Sequence, residues 1–242
     1  MTLDKVDQEW QFVVAANDED SKYIKVDWGN GELVGYEILN YWGTTSPWET
    51  TITGTPVGEG TVKIYVANLY KFDCSYNQNY GAKVTSVDIS KANIESFICA
   101  TNNITALDLS NNSTLKSLTV TTNPEFATLT LPTTNIITSL TLNDCALTSI
   151  DLSACTALTS VNLNNNTGFG SIDVSANTAL TTLRANNTGL TSIDLSANTI
   201  LKNLYVNENQ LTTLDVSKMV AGSYIFANDN KLTELVTAAE ML

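Results

Sequence analysis

Residues Leu190 to Leu211, LTSIDLSANTILKNLYVNENQL, hold one pattern twice. Leu190, Ile193, Leu195, Asn198 and Ile200 stand at offsets 0, 3, 5, 8 and 10, and Leu201, Leu204, Val206, Asn209 and Leu211 repeat those offsets. The short LxL run points two apolar side chains to one side and turns the residue between them to the other. The Asn at offset 8 suits the turn that follows, because its amide can bond backbone groups freed where a strand ends. One such unit cannot bury its own apolar face, so it must stack on copies of itself.

Those copies run through most of the chain. A first-half segment recurs as VTSVDIS (84–90), ITALDLS (104–110), FATLTLP (126–132), LTSIDLS (147–153), FGSIDVS (169–175), LTSIDLS (190–196) and LTTLDVS (211–217), at spacings of 20 to 22 residues. Between them lie second halves such as IESFICATN, LTSVNLNNN and LKNLYVNEN, and Leu69, Phe72, Cys74 and Asn77 form one more at the start. Seven full turns therefore follow a half turn. At about 4.8 Å between stacked strands the solenoid is on the order of 35 Å long. Both halves carry the strand pattern, which predicts two short strands per turn, a flattened coil with two parallel sheets, and few helices. The domain reading is residues 1–66 as an N-terminal unit that also caps the coil, 67–236 as the solenoid, and 237–242 as a capping tail.

Residues 1 to about 65 alternate aromatic and β-branched runs (10–14, 23–28, 61–66) with turn clusters at 17–20, 29–31 and 58–60. That pattern predicts a small antiparallel β-sandwich. The segments VDWGNGELVGYE and GEGTVKIYVAN resemble the PKD-like branch of immunoglobulin-type domains, with Asn30 standing where that family usually has Asp. The LxxLxLxxNxL core and its 21-residue period make the rest a leucine-rich repeat. With the LTxLDVSxNTxL signature, it resembles the short-repeat bacterial family to which some internalins belong. In that subclass a cysteine often replaces the second leucine of the strand; here Cys74 and Cys99 do so, and Val120, Leu142, Leu163, Ala185, Val206 and Ala227 fill the place in later turns. The resemblance implies an extracellular recognition or adhesion scaffold and brings over no contact residues.

Composition narrows the chemistry. The 242 residues carry a net charge of −13, with Arg184 and 11 lysines as the cations, which argues against nucleic acid or anionic membranes as partners. Histidine is absent, removing His-based triads, Cys–His pairs and the usual zinc sites. No apolar run reaches the roughly 18 residues of a membrane span, and the start MTLDKVDQEWQ shows no apolar signal core. Either a signal was removed or none was used. Cys74 and Cys99 read as stacked, buried thiols, and Cys145 and Cys155 as free cysteines in the offset-8 place.

Stacking turns each offset into a column. In the first halves the outward residue is Asp88, Asp108, Thr130, Asp151, Asp173, Asp194 and Asp215. This is read as a solvated ladder in which Asp caps nearby hydroxyls and amides, with a calcium-binding face as the alternative. The outward second-half column is Asp73, Ile98, Thr119, Thr141, Asn162, Arg184, Tyr205 and Phe226, with Tyr224 two residues before Phe226. Aromatics beside the one arginine have the composition of a binding hot spot, and aromatic faces also suit sugars. Shielding of the last turns is the competing account. Asn143, Asn164, Asn186, Asn207 and Asn228 line the strand end and read as an inner asparagine ladder, or else as polar contacts. Trp42 and Trp48 flank a GTTSP loop and are candidates for partner contact, unless they pack into the core or against the first repeat.

The candidate partner-binding residues are thus Arg184, Tyr205, Tyr224, Phe226, Trp42 and Trp48, with no catalytic residue, cofactor or metal assigned. The expected function is non-enzymatic binding of a protein or glycan on the solenoid face, outside the cell or on its surface. The alternative is a structural accessory of a virion or surface layer that docks through the N-terminal unit. A carboxylate-pair hydrolase built on the Asp column is the third possibility.

Overall fold

The inward residues of each second-half strand recur in step, and in-register stacking turns the strands into one ladder. The computed structural model describes residues 1–5, 8–16, 23–38, 48–66, 69–76, 78–79, 82–133 and 136–238. The N-terminal strands are β1 (Thr2–Leu3), β2 (Trp10–Ala16), β3 (Tyr23–Asp27), β4 (Leu33–Glu37), β5 (Trp48–Gly54) and β6 (Lys63–Tyr65). The solenoid follows with β7 (Leu69–Asp73), β8 (Val84–Ser86), β9 (Ile94–Ala100), β10 (Ala106–Asp108), β11 (Ser117–Thr121), β12 (Thr128–Thr130) and β13 (Ser139–Thr141). It continues through β14 (Ser160–Asn162), β15 (Thr182–Arg184), β16 (Asn203–Tyr205), β17 (Thr213–Asp215), β18 (Tyr224–Phe226) and β19 (Glu234–Val236). The described residues are all β or irregular, and no helix among them is long and apolar enough to cross a membrane.

The leucine-rich-repeat solenoid is present as expected. Its spine is a ten-stranded sheet in the order β18-β16-β15-β14-β13-β11-β9-β7-β2-β5. The eight strands from β7 to β18 pair in parallel with strict register, so Phe72, Phe97, Leu118, Leu140, Val161, Leu183, Leu204 and Ile225 form one inward column. Apart from the half-buried Ile225, these side chains are buried, and they supply most of the core.

The N-terminal sandwich does not stop at the solenoid. β2 pairs antiparallel with both β5 and β7, so two of its strands extend the solenoid sheet. Its second layer is the antiparallel sheet β4-β3-β6. Trp10, Phe12 and Trp28 fill the space between, and the ring series goes on from Phe12 to Phe72 at 5.8 Å and from Phe72 to Phe97 at 5.9 Å. Gly54 is required here, since a Cβ on it would lie 2.2 Å from the Trp28 ring.

The first-half side carries less ladder than two full sheets would. Parallel pairs form between β10 and β12 and between β17 and β19, while β8 pairs antiparallel with β1. Oδ1 of Asp88, Asp108, Asp151, Asp173, Asp194 and Asp215 each accepts the N–H of the serine two residues on, at 2.8–3.0 Å. Each aspartate thereby closes an Asx turn where its first-half segment ends, in paired and unpaired turns alike.

Beyond each second-half strand the chain enters the left-handed region at Thr101, Thr122, Asp144, Asn165, Asn187, Glu208 and Asp229, with φ between 51° and 61°. Asn and Asp tolerate this conformation, whereas Thr and Glu are strained in it. The corner is held from both sides. Thr122 N donates to Asn143 O and Glu208 N to Asn228 O, each in the next turn. The following residue is an interior asparagine or its substitute. Asn166 donates to Leu142 O at 2.7 Å and Leu163 O at 2.8 Å while its Oδ1 accepts Leu147 N at 3.0 Å. Asn102, Asn123, Asn209 and Asn230 make equivalent links. Cys145 and Thr188 take this place in two turns.

Candidate binding face

The outer face of the long sheet is a grid whose rows run along the solenoid axis at about 4.8 Å per strand. One row is Ser96, Ser117, Ser139, Ser160, Thr182, Asn203 and Tyr224; the next is Asp73, Ile98, Thr119, Thr141, Asn162, Arg184, Tyr205 and Phe226. Small polar side chains cover most of it. Lys71 and Ile98 stand in its first two turns, and Arg184 and the aromatics in its last three.

There the column closes on itself. Tyr205 and Phe226 are stacked with ring centroids 4.9 Å apart and planes 3° from parallel. The Arg184 guanidinium lies 4.9 Å from the Tyr205 centroid, on the side of the preceding turn. A cation over a tyrosine face is attracted by the ring quadrupole, here about 0.5–1 kcal/mol for a half-exposed pair. Tyr224 stands beside Phe226 on the same strand, opposite Asn203, and is 66% exposed; Phe226 is 44% exposed. All four candidates thus share one patch. The stack has a consequence that residue types did not reveal: both faces of Tyr205 are covered, one by Phe226 and the other by Arg184.

The tryptophans stand apart from it. Trp42 lies outside the described residues. Trp48 is described through its backbone alone, as the first residue of β5 opposite Ala16. β5 is the far edge of the sheet from β18, nine strand spacings or about 43 Å away. Trp48 and the Arg184–Phe226 patch cannot touch one compact ligand together.

Beside the patch runs the asparagine column predicted at the strand end. Asn164 Oδ1 accepts Asn186 N at 2.9 Å, Asn186 Oδ1 accepts Asn207 N at 2.9 Å, and Asn207 Oδ1 accepts Asn228 N at 3.1 Å. It is a ladder, but on the outer rim and partly exposed. The inner ladder belongs to the offset-8 residues described above. Asn203 was missed as a member of the face, although its place one turn before Tyr224 could have marked it.

The Asp column carries its charge as separate turns. The aspartates titrate below the usual carboxylate range because the serine two residues on bonds them. The Ser hydroxyl is the leading cause at Asp88, Asp151, Asp173 and Asp215, and the Ser backbone N–H at Asp108 and Asp194. Neighbouring Asp173 and Asp215 oppose this at Asp194. Among the described residues no group of three or more Asp, Glu, Cys and His side chains gathers to hold a metal ion. The four cysteines are buried thiols, none of them in a disulfide. Burial pushes the Cys145 thiol up to about 11, and burial, reinforced by Cys99, pushes Cys74 well above the ordinary thiol value.

No protein-family model matches the chain, and no curated protein matches it. Among solved structures it is similar to the functional domain of InlJ from Listeria monocytogenes, which includes a cysteine ladder, with 24% identity and a TM-score of 0.49. The likeness covers 69% of this chain and 41% of that one, so the chain spans less than half the length of that structure.

Proposed function

We propose that this chain is a non-enzymatic binding protein that offers the outer face of its solenoid sheet to a partner at the cell surface or outside the cell. The observation that carries the reading is the Arg184–Tyr205–Phe226 column with Tyr224 beside it. It puts exposed aromatic area and the one arginine together at one end of a face whose middle turns carry small polar groups. Aromatic and arginine side chains supply a disproportionate share of binding energy when a partner desolvates them. The faces of Tyr205 are taken up within the column, so the ring area open to a protein or a glycan partner is that of Tyr224 and Phe226.

The test is an array of glycans and extracellular proteins probed with the wild-type chain and with a quadruple Arg184/Tyr205/Tyr224/Phe226→Ala variant. Binding by the wild type that falls at least about tenfold in the variant, or about 1.4 kcal/mol, supports the reading and its site. Equal binding by both removes the patch from the function. Binding of nothing on the array shifts the weight to the role of an assembly component docked through the N-terminal unit.

A further inference from the structure

A cleft of about 540 Å³ lies between the N-terminal unit and the first repeat, far along the sheet from the aromatic patch. One wall is the edge of β6 and its flanks, residues 61–66, and the other is residues 87–92. The buried Leu69, Phe72 and Ile94 close its base.

Part of the same gap is already filled by a strand. β1 is wedged between the start of β6 and β8. On one side Leu3 N donates to Gly60 O, Val62 N to Met1 O, and Thr2 bridges Thr61 in antiparallel fashion. On the other side Thr2 and Leu3 pair antiparallel with Ser86 and Val84. Alternate residues of a strand present their N–H and C=O to opposite edges. Lys63 and Tyr65 pair with Asp27 and Lys25 of β3, so Val62, Ile64 and Val66 direct their backbone groups to the other edge. Val62 meets β1 there. Among the described residues no strand pairs with this edge beyond Val62. Ile64 and Val66 thus line the cleft with an edge that continues the one β1 uses.

We infer that this cleft is a strand-acceptor site for an extended peptide segment of a partner protein. The guest lies antiparallel to β6, in line with β1, and bonds the backbone of Ile64 and Val66. Its alternate residues rest on Leu69, Phe72 and Ile94. Strand addition to an exposed edge takes affinity from main-chain bonds and selectivity from pockets under every second side chain. A compact apolar ligand would cover the same base and leave the backbone groups of Ile64 and Val66 desolvated without partners, which is costly. Lys91, on the wall opposite β6, favours an acidic residue at the nearest outward position of the guest; Asp88 beside it opposes this, and Lys63 is held 3.9 Å from Asp27.

A phage-displayed library of random linear peptides, panned against the full chain, tests this. The expected outcome is enrichment of segments that alternate apolar with polar or acidic residues. As synthetic peptides they protect the Ile64 and Val66 amides from hydrogen exchange. Ala92→Trp, which fills the cleft and leaves the β6 edge intact, should weaken them at least about tenfold. Lys91→Glu, at an exposed position, should weaken acidic guests without changing the melting curve. The quadruple Arg184/Tyr205/Tyr224/Phe226→Ala variant should bind them as the wild type does, which separates this site from the one proposed above. Enrichment of nothing, of peptides without alternation, or of peptides indifferent to Ala92→Trp and Lys91→Glu would overturn the inference.

Discussion

Tyr205 lies parallel to Phe226, ring against ring at 4.9 Å, with the Arg184 guanidinium over its other face. Tyr205 is therefore the shared member of two contacts. Tyr205→Ala removes both, whereas Arg184→Ala or Phe226→Ala removes one. A double-mutant cycle on Arg184 and Tyr205, read by urea denaturation, should return a coupling of about 0.5–1 kcal/mol. A coupling of zero would mean that the guanidinium contributes nothing through the ring.

Interior asparagines should matter far more to stability than rim asparagines. Asn166 is fully buried and joins two turns through its bonds to Leu142 O, Leu163 O and Leu147 N. Asn166→Ala strands an N–H and two carbonyls, a cost of at least about 2 kcal/mol. Thermal melting should fall by roughly 4–8 °C. Asn228→Ala, on the exposed rim, should shift it by less than about 2 °C.

The left-handed corner at Thr122 is a site for gain. Its φ of 53° is unfavourable for a β-branched residue, and its side chain is not needed for the bond from its N–H to Asn143 O. Thr122→Asn should stabilise by about 0.5–1 kcal/mol and raise the melting temperature by roughly 1–4 °C. An unchanged or lower midpoint would show that the Thr side chain compensates its own strain.

Phe72 touches Phe12 of the N-terminal unit and Phe97 of the next turn. Phe72→Ala should cost about 3–5 kcal/mol. Because β2 and β7 belong to one sheet, calorimetry of the wild type should show both parts melting in one transition. Two separated transitions in the wild type would contradict the continuity of the sheet.

Acid should loosen the solenoid through its Asp column. These aspartates have depressed folded-state values, so the stability they contribute is fully present above the unfolded value of about 3.9 and is lost as pH falls through the folded one. The urea midpoint should stay level from pH 7 to about 5 and decline below about 4. Asp194→Asn keeps an acceptor for Ser196 N and should make that decline shallower.

Most of the solenoid was legible because its period is fixed: once Leu204 and Val206 are read as inward, register places Leu183, Ala185, Ile225 and Ala227 as well. The gathering of Arg184, Tyr205, Tyr224 and Phe226 followed from the same arithmetic. Its inner detail did not, because the covering of Tyr205 by its neighbours depends on side-chain torsions that spacing does not carry. The pairing of β2 with β7 was hidden because it joins segments nearly 60 residues apart with no repeated pattern between them. The corners at Thr101, Thr122 and Glu208 were hidden too, since those residue types do not advertise a positive φ. The Asp column was visible as a column, and its caps on the following serines were legible in the recurring Asp-x-Ser spacing.

The run of the sheet from β5 through β7 to β18 means that the two ends of the molecule are joined by hydrogen-bonded strands instead of by a linker. Strands set across the long axis respond to tension along that axis by peeling one at a time, with few bonds loaded at any moment. Tension applied along the strands would have to shear many bonds at once. A protein built this way yields gradually when stretched end to end and resists when dragged sideways, so the direction in which it is held would set the force it bears.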